Sequence, residues 1–267
     1  MNVLSLFDGI SCGQVALKRA RKKVNNYYAS EIDKNAIKIT QKNFPKTHQL
    51  GDVTNWRSWN LPKIDLLMGG SPCQGFSNAG KGLNFNDPRS KLFFEFVKIL
   101  KHYKPKYFLL ENVRMKQEWQ DIITDKMGVE PIMINSALVS AQNRVRLYWT
   151  NIPVTLPEDS GLSLSEVIGI NAIGCASRAR HIKGNSGKTE QRIEERRDNK
   201  ANCMTTVSKN CLLKMGGVVR PLFRHEAELL QTIPVGYTDV ISAHKALKAI
   251  GNAWSIDIIT LILKGVK

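Results

Sequence analysis

The chain has 267 residues, enough for one large domain and a small one, and its 42% hydrophobic content suits a packed globular protein rather than a disordered one. A formal net charge of +16 and an isoelectric point near 9.7 point to a polyanionic partner such as nucleic acid, without choosing DNA over RNA. The five cysteines, at positions 12, 73, 175, 203 and 211, form no Cys-x-x-Cys pair and are too dispersed for a zinc site or a disulfide framework, so the expectation is a reducing compartment and no metal.

Asn2 to Phe7 is a short apolar run ending in Asp8-Gly9. It lacks the basic region and cleavage site of an export signal, and no apolar run is expected to reach the ~20 residues of a bilayer span, so a cytoplasmic protein is expected. Gln14 to Ala20 has helix-forming composition, giving strand, glycine turn and helix, the first half of a nucleotide-type βα unit. Tyr27 to Glu31 reads as a second strand ending in an acid about twenty residues after the turn, where such folds place a carboxylate to accept from ribose hydroxyls. Leu50-Gly51-Asp52-Val53 closes the next step with another acid.

The apolar strand Ile64 to Met68 runs into Gly69-Gly70-Ser71-Pro72-Cys73-Gln74-Gly75-Phe76-Ser77. Proline fixes φ and glycine permits tight backbone, so Cys73 is displayed at the carboxyl edge of a sheet, where its thiol can act as a nucleophile. The polar loop from Asn78 to Asn86 reads either as a lid or as an ordinary connection. Arg89 to Tyr103 carries Leu92, Phe93, Phe96, Val97, Leu100 and Tyr103 at helical spacing, and Lys104-Pro105-Lys106 stops it before the strand Tyr107 to Glu111. That strand ends in a carboxylate, followed by Asn112 and Val113.

Ile132 to Ile134 and Leu147 to Trp149 read as further strands, and alternation places Arg144 and Arg146 of Gln142-Asn143-Arg144-Val145-Arg146 on one face. From Asn151 the composition changes, and between Arg178 and Lys200 eight Lys/Arg stand against four acids in a run with few apolar residues. His225 to Pro234 and Ala246 to Leu263 have helical patterns, the second interrupted by Gly251-Asn252. The expected division is residues 1–150, a small domain at 151–218, and a return segment at 219–267.

Pro72-Cys73-Gln74, followed about forty residues later by Glu111-Asn112-Val113, resembles the catalytic core of the DNA (cytosine-5) methyltransferases. Phe7-Asp8-Gly9-Ile10-Ser11-Cys12-Gly13, the Gln142 to Arg146 stretch and Gly251-Asn252-Ala253-Trp254 follow the family's order. The bacterial form usually reads Asp-Leu-Phe-x-Gly-x-Gly; here Ser5 and Ser11 stand at the acid and second glycine, and Phe-Asp-Gly-Ile looks like the animal de novo enzymes. The resemblance implies an α/β, Rossmann-like, S-adenosylmethionine-dependent methyltransferase fold with a small target-recognition domain at 151–218, and a prokaryotic or phage origin.

It implies further that Cys73 is the nucleophile, with Glu111, Gln74, Arg144 and Arg146 completing the catalytic set. S-adenosylmethionine would lie among Phe7 on the adenine side, Asp8, Gly9, Ile10, Gly13, Glu31 on the ribose, Asp52 near the adenine amino group, apolar walls Ile32, Val53 and Leu92, and Pro72, Asn252 and Trp254. Ser77, Arg178, Arg180, Lys183, Thr206 and Arg220 would serve double-stranded DNA. The chain is expected to act as a monomer, with a cognate restriction enzyme as one partner the family allows. An RNA cytosine-C5 methyltransferase of the same fold stays open, although the Cys-Phe-Thr tripeptide typical of that branch is absent, as does a catalytically silent DNA-binding relative.

Overall fold

The computed structural model describes residues 1–72, 91–182 and 187–267. A seven-stranded sheet in the order β3-β2-β1-β4-β5-β7-β6 uses β1 (Asn2–Leu6), β2 (Asn26–Ser30), β3 (His48–Gln49), β4 (Leu66–Gly70), β5 (Tyr107–Val113), β6 (Ile132–Asn135) and β7 (Val145–Thr150). β1 to β5 pair in parallel and β7 runs antiparallel to β5. Val3 to Leu6 and Leu66 to Met68 are buried throughout, as central parallel strands covered on both faces must be, and this is why they read as unbroken apolar runs.

The crossovers are α1 (Cys12–Arg19), α2 (Lys34–Asn43), α3 (Lys91–Tyr103) and α4 (Gln117–Met127). Asp33 starts α2 by accepting from the Asn35 and Ala36 amides at 2.7 and 3.2 Å. α3 turns Phe93, Phe96, Val97 and Ile99 into a core that also holds Leu4, Leu67, Leu110 and Trp149. The expected α/β, Rossmann-like sheet is present.

The chain divides into two compact units, the first comprising 1–134, 145–156 and 258–267 and the second 135–144 and 157–257. The boundaries therefore differ from the expected cuts at 150 and 218: most of the return segment belongs to the second unit. That unit contains α5 (Leu164–Ile168), α6 (Arg224–Leu230), α7 (Ala243–Asn252) and an antiparallel sheet, β11-β10-β8-β9, built from β8 (Ile173–His181), β9 (Thr189–Glu195), β10 (Leu212–Met215) and β11 (Val218–Pro221). The charged run read only as a polar segment is thus largely β8 and β9.

Gly251-Asn252 does not interrupt the last helical pattern but ends α7; the break falls at 253–255, before α8 (Ile256–Lys264). Contrary to expectation, Ala243–Lys264 is long and apolar enough by composition to cross a membrane. Most of its apolar stretch is buried, and Ala246, Ile250, Ile256, Ile259 and Ile262 are wholly enclosed, so its apolar character serves packing.

Candidate active site and nucleic-acid face

In the first unit the strand order reverses between β1 and β4, and open α/β sheets bind ligands beyond the carboxyl ends of their strands at such a reversal. The loop after β1 places Phe7, Gly9 and Ser11 in the left-handed region, with φ of 55°, 59° and 58°. A bulky phenylalanine there costs on the order of 1–3 kcal/mol, the kind of strain that surrounding structure must hold. It is held from β2: the Asp8 amide donates to the Ser30 carbonyl at 3.1 Å, and the Gly9 amide donates to Glu31 Oε2 at 2.8 Å.

Glu31 Oε1 also accepts from the Ile32 and Asp33 amides at 2.7 and 2.8 Å. Three of a carboxylate's roughly four acceptor positions are therefore used, leaving capacity for a hydroxyl. Ile32 beside it is 70% exposed, and Asp52 accepts from the Thr54 amide and hydroxyl through Oδ1 alone among the described residues. Among the described residues, nothing beyond its own chain neighbours lies within 4 Å of where a Gly9 Cβ would stand. An open glycine turn, a part-used carboxylate, an exposed apolar side chain and a second acid are a donor set that fits a nucleoside-bearing cofactor.

Other expected cofactor residues have different surroundings. Ile10 and Val53 are buried, Val53 within the core, and Leu92 packs against that core, so only Ile32 of the three apolar walls is exposed. A Cβ on Gly13 would come within 2.5 Å of Met68 Cε and 3.0 Å of the Tyr27 hydroxyl, so this glycine lets α1 close on the sheet.

Asp8 turns its carboxylate inward, accepting from the Ser11 hydroxyl and, at 2.7 Å, from the Tyr27 hydroxyl. Burial pushes its pKa from 3.8 up to about 6 despite these hydrogen bonds. A carboxyl raised on folding contributes stability that is full below about pH 3.8 and is lost as pH rises through about 6. Asp8→Asn should therefore remove a fall of roughly 2 kcal/mol in unfolding free energy between pH 4 and pH 7. Urea unfolding across that range checks this, and a constant difference between variant and wild type would contradict it.

Glu111 on β5 is level with Gly70 on β4, two residues before Pro72, the last described residue ahead of the cysteine loop. Arg146 Nε lies 3.0 Å from Glu111 Oε1, and both side chains are nearly buried. The neighbouring Asn112 donates to the Ser71 hydroxyl at 3.0 Å, fixing the start of the loop to β5. Cys73, Gln74 and Ser77 lie outside the described residues.

Arg144 does not share a face with Arg146. It precedes β7, belongs to the second unit, and donates to the Met204 and Ala253 carbonyls at 2.8 and 2.9 Å, with Gly251 O at 3.5 Å and Cys203 Sγ at 3.4 Å. Two buried glutamines join it. Gln142 accepts from the Met204 amide and donates to Leu230 O, while Gln231 donates to Ile250 O and Ala253 O and accepts from Ser255. This buried hub ties residues 203–204 to 250–255, the stretch holding exposed Asn252 and half-buried Trp254. These bonds give Arg144 a structural part in the second unit.

Of the residues expected at DNA, Thr206 is exposed, and Arg178 and Arg180 both pair with Glu194, at 3.3 and 2.7 Å. Lys183 lies outside the described residues. Arg220 makes a two-pronged pair with buried Glu226 at 2.6 and 2.8 Å and stacks 4.1 Å from the Phe223 ring, bracing the entry to α6.

Residues 1–152, more than half of the chain, match the family described as C-5 cytosine-specific DNA methylase. The chain belongs to that family. Among curated relatives, the Type II methyltransferase M1.ScrFI of Lactococcus lactis subsp. cremoris is 45% identical over 112 residues, 42% of this chain and 28% of that protein. The orphan methyltransferase M.SPRI of Bacillus phage SPR is 35% identical over 177 residues, 61% of this chain and 40% of that one, and M.HgiCI of Herpetosiphon aurantiacus is 36% identical over 63% and 42%. The chain thus spans 28 to 42% of the length of these relatives.

Two solved structures extend the likeness of this C-5 cytosine methylase family member over nearly its whole length. A protein described as a DNA modification methyltransferase encoded within an E. coli prophage aligns with a TM-score of 0.70 at 19% identity, covering 100% of this chain and 98% of its own. Spodoptera frugiperda DNMT2, in a mutant form, aligns at 0.68 and 19%, covering 99% and 98%. At such identity these neighbours establish the fold.

Proposed function

We propose that this family member is a site-specific DNA (cytosine-5) methyltransferase that takes its methyl group from S-adenosylmethionine. The observation carrying the reading is the Glu111–Arg146 pair at the end of β5, level with the start of the loop that bears Cys73. C5 of cytosine is a poor nucleophile until a thiolate adds to C6, and Cys73 is the residue for that step. The buried cysteines suit it less: burial pushes the Cys175 thiol up and that of Cys211 up to about 12, keeping both protonated.

Glu111, oriented by Arg146, would hydrogen-bond N3 and the amino edge of the base, where charge demand develops as Cys73 adds. When bound, S-adenosylmethionine supplies an electrophilic sulfonium methyl to C5; Glu31, Ile32 and Asp52 would hold its nucleoside end. Loss of the C5 proton and departure of Cys73 then restore aromaticity. C5 and C6 lie inside a stacked duplex, so the cytosine must be flipped out. Residues 151–218 would recognise the target, the partner being double-stranded DNA in the cytoplasm of a bacterial or phage-infected cell.

Transfer of tritiated methyl from S-adenosylmethionine to duplex DNA, measured beside transfer RNA, tests the reading. Label in DNA is expected; label in RNA alone, or DNA binding with no label, overturns it. Within the cofactor site, Glu31→Ala should raise the S-adenosylmethionine Kd roughly 10- to 100-fold, from the loss of one charged hydrogen bond to a ribose hydroxyl together with the anchor of the Gly9 amide, with kcat little changed. Calorimetric titration with steady-state kinetics checks this, and an unchanged Kd beside a large kcat loss would reassign Glu31.

A further inference from the structure

β8 pairs with β10 only at Ile173 to Cys175, so from Ser177 onward β8 has β9 as its only paired strand among the described residues. Arg178 to His181 and Thr189 to Ile193 are exposed at every position. A two-stranded ribbon open on both faces is marginal in water, and something must brace it. One face does so. Arg178 stands opposite Arg192 and Arg180 opposite Glu190, and on this face Arg178 and Arg180 pair with Glu194 while Arg192 pairs with Glu190.

From Ser177 outward the other face carries Ala179, His181, Thr189, Gln191 and Ile193 as well, a row of hydrogen-bonding and apolar groups; its one acid, Glu195, stands at the base of the ribbon opposite Cys175 and pairs with Lys214 of β10. Across this face, among the described residues, the Ser177 hydroxyl donates to Gln191 Oε1 at 3.0 Å, which leaves the Gln191 amide nitrogen to donate elsewhere. Resting on the DNA reading above, we infer that this ribbon enters the major groove with the Ser177–Gln191 face on the base edges.

Three physical points carry it. A two-stranded ribbon fits a groove about 12 Å wide, and the ~3.4 Å rise per residue matches the spacing of stacked bases, so Ser177 to His181 spans about four base-pair steps. Glu190 and Glu194 on the braced face would meet phosphate repulsion in the groove, and the arginines there are already occupied by them. Glutamine matches the paired acceptor and donor of adenine, and a serine hydroxyl suits several bases.

Gln191 and Arg192 are consecutive and point to opposite faces, which gives the test. The full-length protein, Gln191→Ala, Ser177→Ala and Arg192→Ala are each given a pool of duplexes with randomised sequence; bound duplexes are sequenced and methylated cytosines mapped by bisulfite. Gln191→Ala is expected to lose roughly 5- to 150-fold of discrimination at one position, the size of one direct base contact, and Ser177→Ala to change the preference at a neighbouring position. Arg192→Ala is expected to leave the ranking of sequences unchanged. An unchanged ranking in Gln191→Ala and Ser177→Ala, or an altered one in Arg192→Ala, overturns the inference. A wild-type chain that enriches a sequence without methylating it sinks the methyltransferase reading alone, and one without sequence preference sinks both.

Discussion

Cys73→Ala should reduce methyl transfer by at least on the order of 10⁴-fold while leaving binding of duplex DNA and of S-adenosylmethionine within about twofold of wild type. The expectation follows from the chemistry: without a nucleophile at C6, C5 cannot take up the methyl group, whereas the cofactor-binding candidates from Phe7 to Val53 sit in the segments that follow β1, β2 and β3, away from Cys73 in the sequence. Single-turnover transfer and equilibrium binding on the same preparation separate the two effects. Turnover near the wild-type rate would end the covalent mechanism, and a parallel loss of both bindings would make Cys73 structural.

The largest loss of stability is expected from Arg144→Ala. Arg144 is 4% exposed and its guanidinium serves the Met204 and Ala253 carbonyls. Removing it takes the guanidinium donors from the Met204 and Ala253 carbonyls, of which Ala253 keeps the Gln231 amide, and opens a cavity, so a total of roughly 3–5 kcal/mol is expected. Arg144→Lys should recover only part of this, because one ammonium cannot reproduce the planar fork that reaches both carbonyls. Urea unfolding of the three proteins gives the comparison, and a loss below about 1 kcal/mol in Arg144→Ala would show that the hub does not need it.

Most of the sheet was legible because its strands are central and buried. β1, β4 and β5 appear as apolar runs of five to seven residues ending in Gly or an acid, and α3 as an apolar stripe at helical spacing. β8 and β9 escaped for the opposite reason: they are polar on both faces over most of their length, so no period-two alternation marks them. Arg144 misled because alternation assumes an extended strand, and the backbone becomes a strand only at Val145. Asn112 was visible within Glu-Asn-Val, but its grip on Ser71 is a contact 41 residues distant and no local pattern announces it. Likewise Gln142 and Gln231 are 89 residues apart, and only the fold shows them hydrogen-bonded to each other at 3.1 Å.

The close fit at Gly251 bears on how this chain can be recombined with its relatives. A Cβ there would lie 2.5 Å from the Thr205 carbonyl carbon and oxygen, so α7 and the backbone at Thr205 are shaped to one another with no room for a side chain between them. Grafting a foreign specificity segment over residues 173–210 would therefore carry a hidden partner near the far end of the sequence. Chimeras that keep the path of Met204 to Thr206, or that import the matching α7 with its glycine, should remain soluble and folded, whereas a graft that reroutes those residues would collide with the helix whatever target it was chosen to read.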